Sequence, residues 1–210
     1  MKKIIAIIFA FAFALSTWAE NNEPFSVLGF GVNHPWLWEK ADLGDSNSSS
    51  IGFGMYNVIV GKSGWGFMAN ASMDFPYHTE SDVNGTTVTL TRSDYDSWFN
   101  YNFNFGAMYN FYRENNLFLG VAPFFAFGGS LIKKDNFEQG STILGFGVEL
   151  NVIYKITERV GFSGGITGQY NFYTIGSQFL NDIKIANLTG RLTQYVVTPY
   201  LCFDIYFERK

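Results

Sequence analysis

Two carboxylates and six carboxamides are the residues of this chain whose types and spacing could form a polar site. The carboxylates are Glu149 and Asp204, each placed in a segment where polar and apolar residues alternate. The carboxamides on matching faces are Asn70, Asn100, Asn102, Asn104, Asn151 and Gln169. A carboxylate accepts hydrogen bonds or attracts a cation, whereas a carboxamide both donates and accepts. These eight residues are therefore the candidate site.

The segment around Asn102 shows which element must carry them. It reads WFNYNFNFGAMYNF, and every second position is apolar: Phe99, Tyr101, Phe103, Phe105, Ala107, Tyr109 and Phe111. A period of two predicts an extended strand with two different faces, because successive Cβ atoms point to opposite sides. Large aromatics on one face and asparagines on the other are typical of a barrel strand with lipid outside and a narrow polar interior.

The same alternation recurs along the chain and predicts eight strands. Their ranges are 25–33, 51–61, 65–75, 97–112, 117–128, 141–155, 160–173 and 193–207. Three connectors are short (62–64, 113–116 and 156–159) and four are long (34–50, 76–96, 129–140 and 174–192). Strict alternation of short and long connectors is typical of outer-membrane barrels. We therefore predict an all-β fold, an eight-stranded antiparallel up-and-down transmembrane β-barrel, with both mature ends in the periplasm.

The first residues have the pattern of a secretory signal peptide. Lys2 and Lys3 precede an apolar run from Ile4 to Leu15, and Thr17 and Ala19 suit a cleavage site. A spanning helix needs about 20 apolar residues, which this run does not supply. The prediction is a signal peptide at 1–19 and an outer-membrane β-barrel domain at 20–210.

Composition narrows the class of protein and of partner. Without Lys2 and Lys3, 14 − 2 leaves 12 basic residues against 18 acidic ones, which makes nucleic acid a poor partner. Charged residues are 15% and aromatic residues 19%, a balance that suits alternating lipid-facing strands. Cys202 is the one cysteine and is expected to be a small buried filler. No spacing of metal ligands and no phosphate-binding loop is present, so we predict no cofactor and no metal.

The signal peptide, the eight amphipathic strands and the alternating connectors together resemble small outer-membrane barrels of the OmpX, OmpW and OmpA membrane-domain type. The last strand, YVVTPYLCFDIYF, resembles the aromatic-ended signal that barrel-insertion machinery recognises. The resemblance implies a monomer in the bacterial outer membrane, with lipid and the insertion machinery as partners.

Two states of the interior remain open. In one, Glu149 and Asp204 accept hydrogen bonds from the carboxamides and form a polar plug. In the other, the interior is a hydrated, weakly cation-preferring passage, because no central Lys or Arg neutralises Glu149. Asp74 and Lys155 are expected at strand ends. The function is accordingly structural, or a narrow pore for small solutes.

The alternative function is an adhesin-like interaction of the outer loops with a surface ligand. Asn84 and Gly85 are a strong hairpin signal, and Thr86–Thr91 alternates after them. This ribbon could pair with another chain or be a hydrated extension without a partner.

Two remote alternatives are a soluble ligand-binding barrel and an enzyme. A soluble lipocalin-like ligand-binding barrel would exchange the two faces, but its interior lacks room for so many aromatic side chains. An enzyme would have to use His34, or His78 with Glu80 and Ser81, and their spacing matches no catalytic motif. We predict that the chain is not an enzyme.

Overall fold

Antiparallel strands make up most of the described chain. The structure is a computed structural model, and it describes residues 24–41, 44–83 and 85–208. The predicted signal peptide lies outside the described residues. The strands are β1 Phe25–Asn33, β2 Trp36–Ala41, β3 Gly44–Val60, β4 Trp65–Val83, β5 Thr86–Leu90, β6 Ser97–Glu114, β7 Leu117–Lys134, β8 Phe137–Lys155, β9 Val160–Leu180, β10 Ile183–Asn187 and β11 Gly190–Glu208.

Eight of these strands pair in a closed ring. Going round the ring, β1 pairs with β3, followed by β4, β6, β7, β8, β9 and β11, and β11 pairs again with β1. Every one of these pairings is antiparallel, so the predicted all-β up-and-down order is confirmed. The other three strands, β2, β5 and β10, are short and lie at one end, which we call the hairpin end. The opposite end, with the short connectors, is the short-turn end.

The predicted long connector at 129–140 is wrong. β7 continues to Lys134 and β8 begins at Phe137, so only Asp135 and Asn136 are left as a turn. Asp135 has a φ of 50°, a left-handed conformation that Asp tolerates better than most residues. The hydrogen-bonded pairing of β7 with β8 continues beyond the predicted strand ends, because a tight turn keeps the two strands in register.

The other long connectors also contain strand. In 34–50, β2 pairs with β3 and β11. In 174–192, β9 extends to Leu180 and returns through Asn181 and Asp182 into β10. Sequence alternation is weak in these segments although backbone pairing continues, which is why the expected strand ends were too early.

The predicted hairpin of the second long connector is confirmed. β4 runs on to Val83 and β5 returns along it, with Gly85 at a φ of 77°; Asn84 lies outside the described residues. A turn of 3₁₀-helix at Arg92–Asp94 follows. The backbone N–H and the hydroxyl of Thr91 donate to Asp94, and these hydrogen bonds hold the pKa of that carboxyl below its usual range.

The two faces of the ring differ as the alternation predicts. On β6, Phe103 and Phe105 are 48% and 49% exposed, whereas Asn104 between them is 6% exposed. Tyr109 differs from the other outward aromatics, being 5% exposed, and its ring centroid lies 4.7 Å from that of Trp65. At this level of the ring apolar side chains therefore face outward and polar ones inward, which is opposite to the lipocalin-like arrangement.

No helix among the described residues is both long enough and apolar enough to cross a membrane.

Apolar side chains fill the interior near the short-turn end. This apolar plug consists of Phe25, Val27, Val58, Val60, Met68, Met108, Phe118, Ala122, Phe124, Ala126, Ile153 and Tyr206, all buried and in mutual contact. Cys202 is also buried, at 1% exposed. The interior is thus packed at one end and polar above it.

Close strand packing predicts a sharp difference between two glycines. A Cβ at Gly106 would overlap the Pro123 carbonyl oxygen and lie 2.7 Å from Phe124 Cα, whereas at Gly168 nothing lies within 4 Å. We expect Gly106→Ala to lower the free energy of unfolding by about 1–3 kcal/mol through overpacking. Gly168→Ala, the matched control, should be neutral or slightly stabilising. Urea unfolding in detergent, followed by heat-modifiable gel migration, measures both; equal effects would contradict the packing.

Candidate functional site

A cavity occupies the interior between the apolar plug and the hairpin end. Its volume is about 430 Å³, and the side chains on its wall come from β2, β3, β4, β6, β7, β8, β9 and β11. That volume lies in the range of small-molecule sites, roughly 300–1,000 Å³. The polar residues of its lower wall include Asn70, Ser72, Asp74, Asn100, Asn102, Asn104, Thr167, Gln169, Asn171, Gln194 and Thr198. We call this cavity the cup.

Glu149 forms the base of the polar region and is 1% exposed. Asn70 Nδ2 and the Tyr200 hydroxyl each donate to its carboxylate at 2.7 Å, and Asn151 Nδ2 donates at 3.3 Å. The Tyr200 ring stacks on Tyr56, with centroids 4.2 Å apart and planes 13° apart. A buried carboxylate needs such donors, because it would otherwise lose its hydration without compensation.

Three predicted carboxamides contact one another on the wall of the cup. Asn102 Nδ2 lies 3.0 Å from Asn104 Oδ1 and 3.2 Å from Gln169 Oε1. Asn102 therefore connects β6 to β9 across the interior, since the two strands are not neighbours in the ring.

The carboxamide contacts continue from Gln169 towards the hairpin end. Gln169 Nε2 donates to Asn171 Oδ1 at 2.7 Å, and Asn171 Nδ2 donates to Gln194 Oε1 at 2.6 Å. Gln194 Nε2 then donates to Glu39 Oε2 at 2.7 Å. Each amide donates to the next, so the series is polarised and ends on a carboxylate.

Asp74 forms a separate polar group with Asn100, whose Nδ2 donates to Oδ1 at 2.8 Å. The expectation that Asp74 lies at a strand end is wrong, because β4 continues to Val83 and places Asp74 in its interior, 5% exposed. β4 is longer than predicted because it keeps pairing with β3, as far as the pair of Ser46 and Ser81.

The eight candidate residues thus form four groups rather than one network. Asn70 and Asn151 contact Glu149, whereas Asn102 contacts both Asn104 and Gln169. Asn100 contacts Asp74, and Asp204 accepts from Ser163 at 2.8 Å near the short-turn end. All eight face the interior; Asn100 and Asn102 are half-buried and the other six are buried.

Five residues of this site were not among those predicted from the sequence: Glu39, Tyr56, Asn171, Gln194 and Tyr200. Asn171 and Gln194 follow the same alternation as Gln169 and could have been found by it. Glu39 lies in a segment that was expected to be a loop. Tyr200 also follows the alternation, two residues before Cys202 and four before Asp204, but the sequence does not show that it reaches Glu149.

The residues considered for catalysis form two separate pairs. His34 Nε2 lies 2.9 Å from the Tyr77 hydroxyl, and His78 Nε2 lies 3.3 Å from Glu80 Oε1. Within the described part of the chain, no three His, Cys, Asp or Glu side chains cluster as metal ligands would.

No family model and no curated protein matches the chain. Solved structures do match it. OprG from Pseudomonas aeruginosa aligns with a TM-score of 0.57 at 10% identity, over 91% of this chain and 99% of that one. The Neisserial surface protein NspA aligns at 0.52 and 14% identity, over 90% of this chain and 100% of that one. A major outer membrane protein from Thermus thermophilus aligns at 0.52 and 13% identity, over 89% and 100%.

The chain has the fold of the small outer-membrane β-barrels. The predicted resemblance to this type is confirmed at the level of the fold. Identities of 10–14% carry no site residue from one protein to another, so the cup has to be interpreted from this barrel's own residues.

The hydrogen bond from Tyr200 to Glu149 predicts a stability effect. Tyr200→Phe removes a donor to a buried carboxylate, so we expect the free energy of unfolding to fall by about 1.5–3 kcal/mol. Tyr195→Phe is the matched control, because Tyr195 lies on the same strand, 48% exposed on the outward face. Urea unfolding of the purified barrel in detergent measures the difference. An effect of Tyr200→Phe no larger than that of the control would show that the Glu149 group contributes little to stability.

Proposed function

We propose that the chain is a monomeric bacterial outer-membrane protein that binds a ligand at the cell surface through the cup and the hairpin end. The matching structures, which are outer-membrane proteins, support this location. So do outward side chains such as Phe125 and Leu201, 66% and 61% exposed, which suit lipid. Barrel-insertion machinery would place the ring in the membrane, with both mature ends in the periplasm.

The apolar plug beneath the cup carries the proposal. Met68 and Met108 are 0% exposed, and Val60, Phe118 and Ile153 are at most 4% exposed. A packed apolar interior leaves no space for a continuous row of water molecules, and small apolar voids contain no water. A solute entering from the hairpin end would reach the polar base at Glu149 and meet the plug. This favours a one-ended binding site.

A narrow pore is the second candidate. The polar wall that extends from the mouth of the cup to Glu149 favours it, because a permeating cation would find acceptors along that path. It requires the plug to open, and conductance distinguishes the two functions.

The plug predicts that the purified protein does not conduct. In planar bilayers we expect no steps above the lipid baseline for the unchanged chain. Met68→Ala with Met108→Ala leaves space that water can enter, so we expect intermittent small steps. The control is Met55→Ala with Met73→Ala, two outward methionines of β3 and β4, which should stay silent. Steady conductance of the unchanged protein would favour the pore.

The proposed orientation predicts which end is accessible on intact cells. Lys184 lies in β10 at the hairpin end, and Lys62 lies in a short turn; both are exposed. We expect a membrane-impermeant maleimide to label Lys184→Cys on whole cells and Lys62→Cys only after lysis. The native Cys202 is buried and should stay unlabelled under both conditions. Labelling of Lys62→Cys alone on whole cells would reverse the orientation.

A further inference from the structure

Three carboxylates lie on the wall of the cup or directly under it. Glu39 and Asp74 line the cup and Glu149 lies directly under it, held by Asn70. Arg191, exposed at the mouth, is the one Lys or Arg among the described residues of the wall. The carboxylates therefore have amide and hydroxyl partners but no cationic partner within the cup.

Two buried polar atoms on the wall of the cup are left without a hydrogen-bond partner in the part of the chain that the structure describes, an amide oxygen that can only accept and a hydroxyl that can also accept. Asn70 lines the cup and is 6% exposed; its Nδ2 donates to Glu149, while its Oδ1 is buried and has no partner among the described residues. Ser130 Oγ, also on the wall, is buried without a partner within the same part of the chain. A buried acceptor without a donor costs free energy, so such atoms favour a ligand that donates hydrogen bonds.

The strand register places an apolar surface directly above these acceptors. Asn100 of β6 pairs with Asp74 on one side and with Ser130 on the other, which makes a polar row across three strands. Two residues further towards the hairpin end on each strand are Pro76, Trp98 and Ile132, and Trp98 pairs with Ile132. All three line the cup. An apolar row thus lies next to a polar row that carries a carboxylate.

We propose that the cup binds a small primary ammonium compound with a compact apolar body. Its ammonium group, with three donors, would contact Asp74 and the unpartnered hydroxyl of Ser130, which flank Asn100 in the same polar row. Its apolar body would pack on Trp98 and its neighbours. The inference rests on the proposed function, because it assigns a ligand class to the cup.

Three probes with the same phenyl body and different head groups test the ligand class. They are 2-phenylethylamine, 2-phenylethanol and 3-phenylpropionate, titrated calorimetrically into the full-length protein in non-ionic detergent, with protein-free micelles as the blank. We expect the amine to bind at least about tenfold more tightly than the alcohol, since hydrogen bonds to a charged group are the stronger ones. The carboxylate should bind most weakly. Equal binding of all three, a preference for the alcohol or the carboxylate, or no binding would overturn the proposal.

Substitutions locate the head group and the body. Asp74→Asn should abolish the preference for the amine and leave alcohol binding within about twofold. Asp82→Asn, an exposed carboxylate of β4 away from the wall of the cup, is the control and should change neither. Trp98→Ala should weaken amine and alcohol alike, by about two- to tenfold. An Asp74→Asn variant that keeps the full preference would overturn the assignment.

The tests separate this inference from the proposed function. The comparison of probes uses the unchanged protein, so it does not depend on the folding of a variant. A protein that does not conduct but binds the alcohol more tightly than the amine would refute the ammonium ligand and leave the proposed surface binding site unaffected. A conducting barrel would refute the closed cup whatever the probes do.

Discussion

The structure depends on one constraint, which is that the backbone N–H and C=O groups of a sheet with an apolar outer face must find their partners inside the protein. A flat sheet would leave two unpaired edges, so the sheet closes by pairing β1 with β11. Closure makes one face of every ring strand interior and the other exterior. The division between outward-facing aromatics and buried polar residues follows from that single step.

Closure also determines how the interior is filled. An eight-stranded ring is only wide enough for side chains to meet across it, so inward residues such as Asn70 and Asn102 reach strands that are not their neighbours. Near the short turns most inward side chains are apolar, such as methionine, valine and phenylalanine, and Asp204 accepts from Ser163 at the same end. Above them, Glu149 obtains donors from β4, β8 and β11. The change from apolar to polar filling along the axis is what turns a closed ring into a cup.

Much of the fold was predictable because period-two alternation is strong wherever the outer face of a strand is apolar and its inner face is polar. The face carrying Asn100, Asn102 and Asn104 and the order of the ring strands follow from that pattern. The strand ends did not, because towards the hairpin end apolar and polar residues occur on both faces and the pattern disappears while backbone pairing continues. For this reason the connector at 129–140 proved to be a hairpin, and Asp74 proved to lie inside a strand.

By itself the sequence determined the class of fold and the inward direction of the eight candidate residues, since both are local consequences of alternation. It could not determine which of them meet. Contacts across the ring depend on the stagger between strands, which is set only when β1 and β11 pair. Tertiary structure therefore decided that Tyr200 rather than Asn100 reaches Glu149, that Gln194 connects the carboxamides to Glu39, and that an apolar plug lies beneath the polar groups.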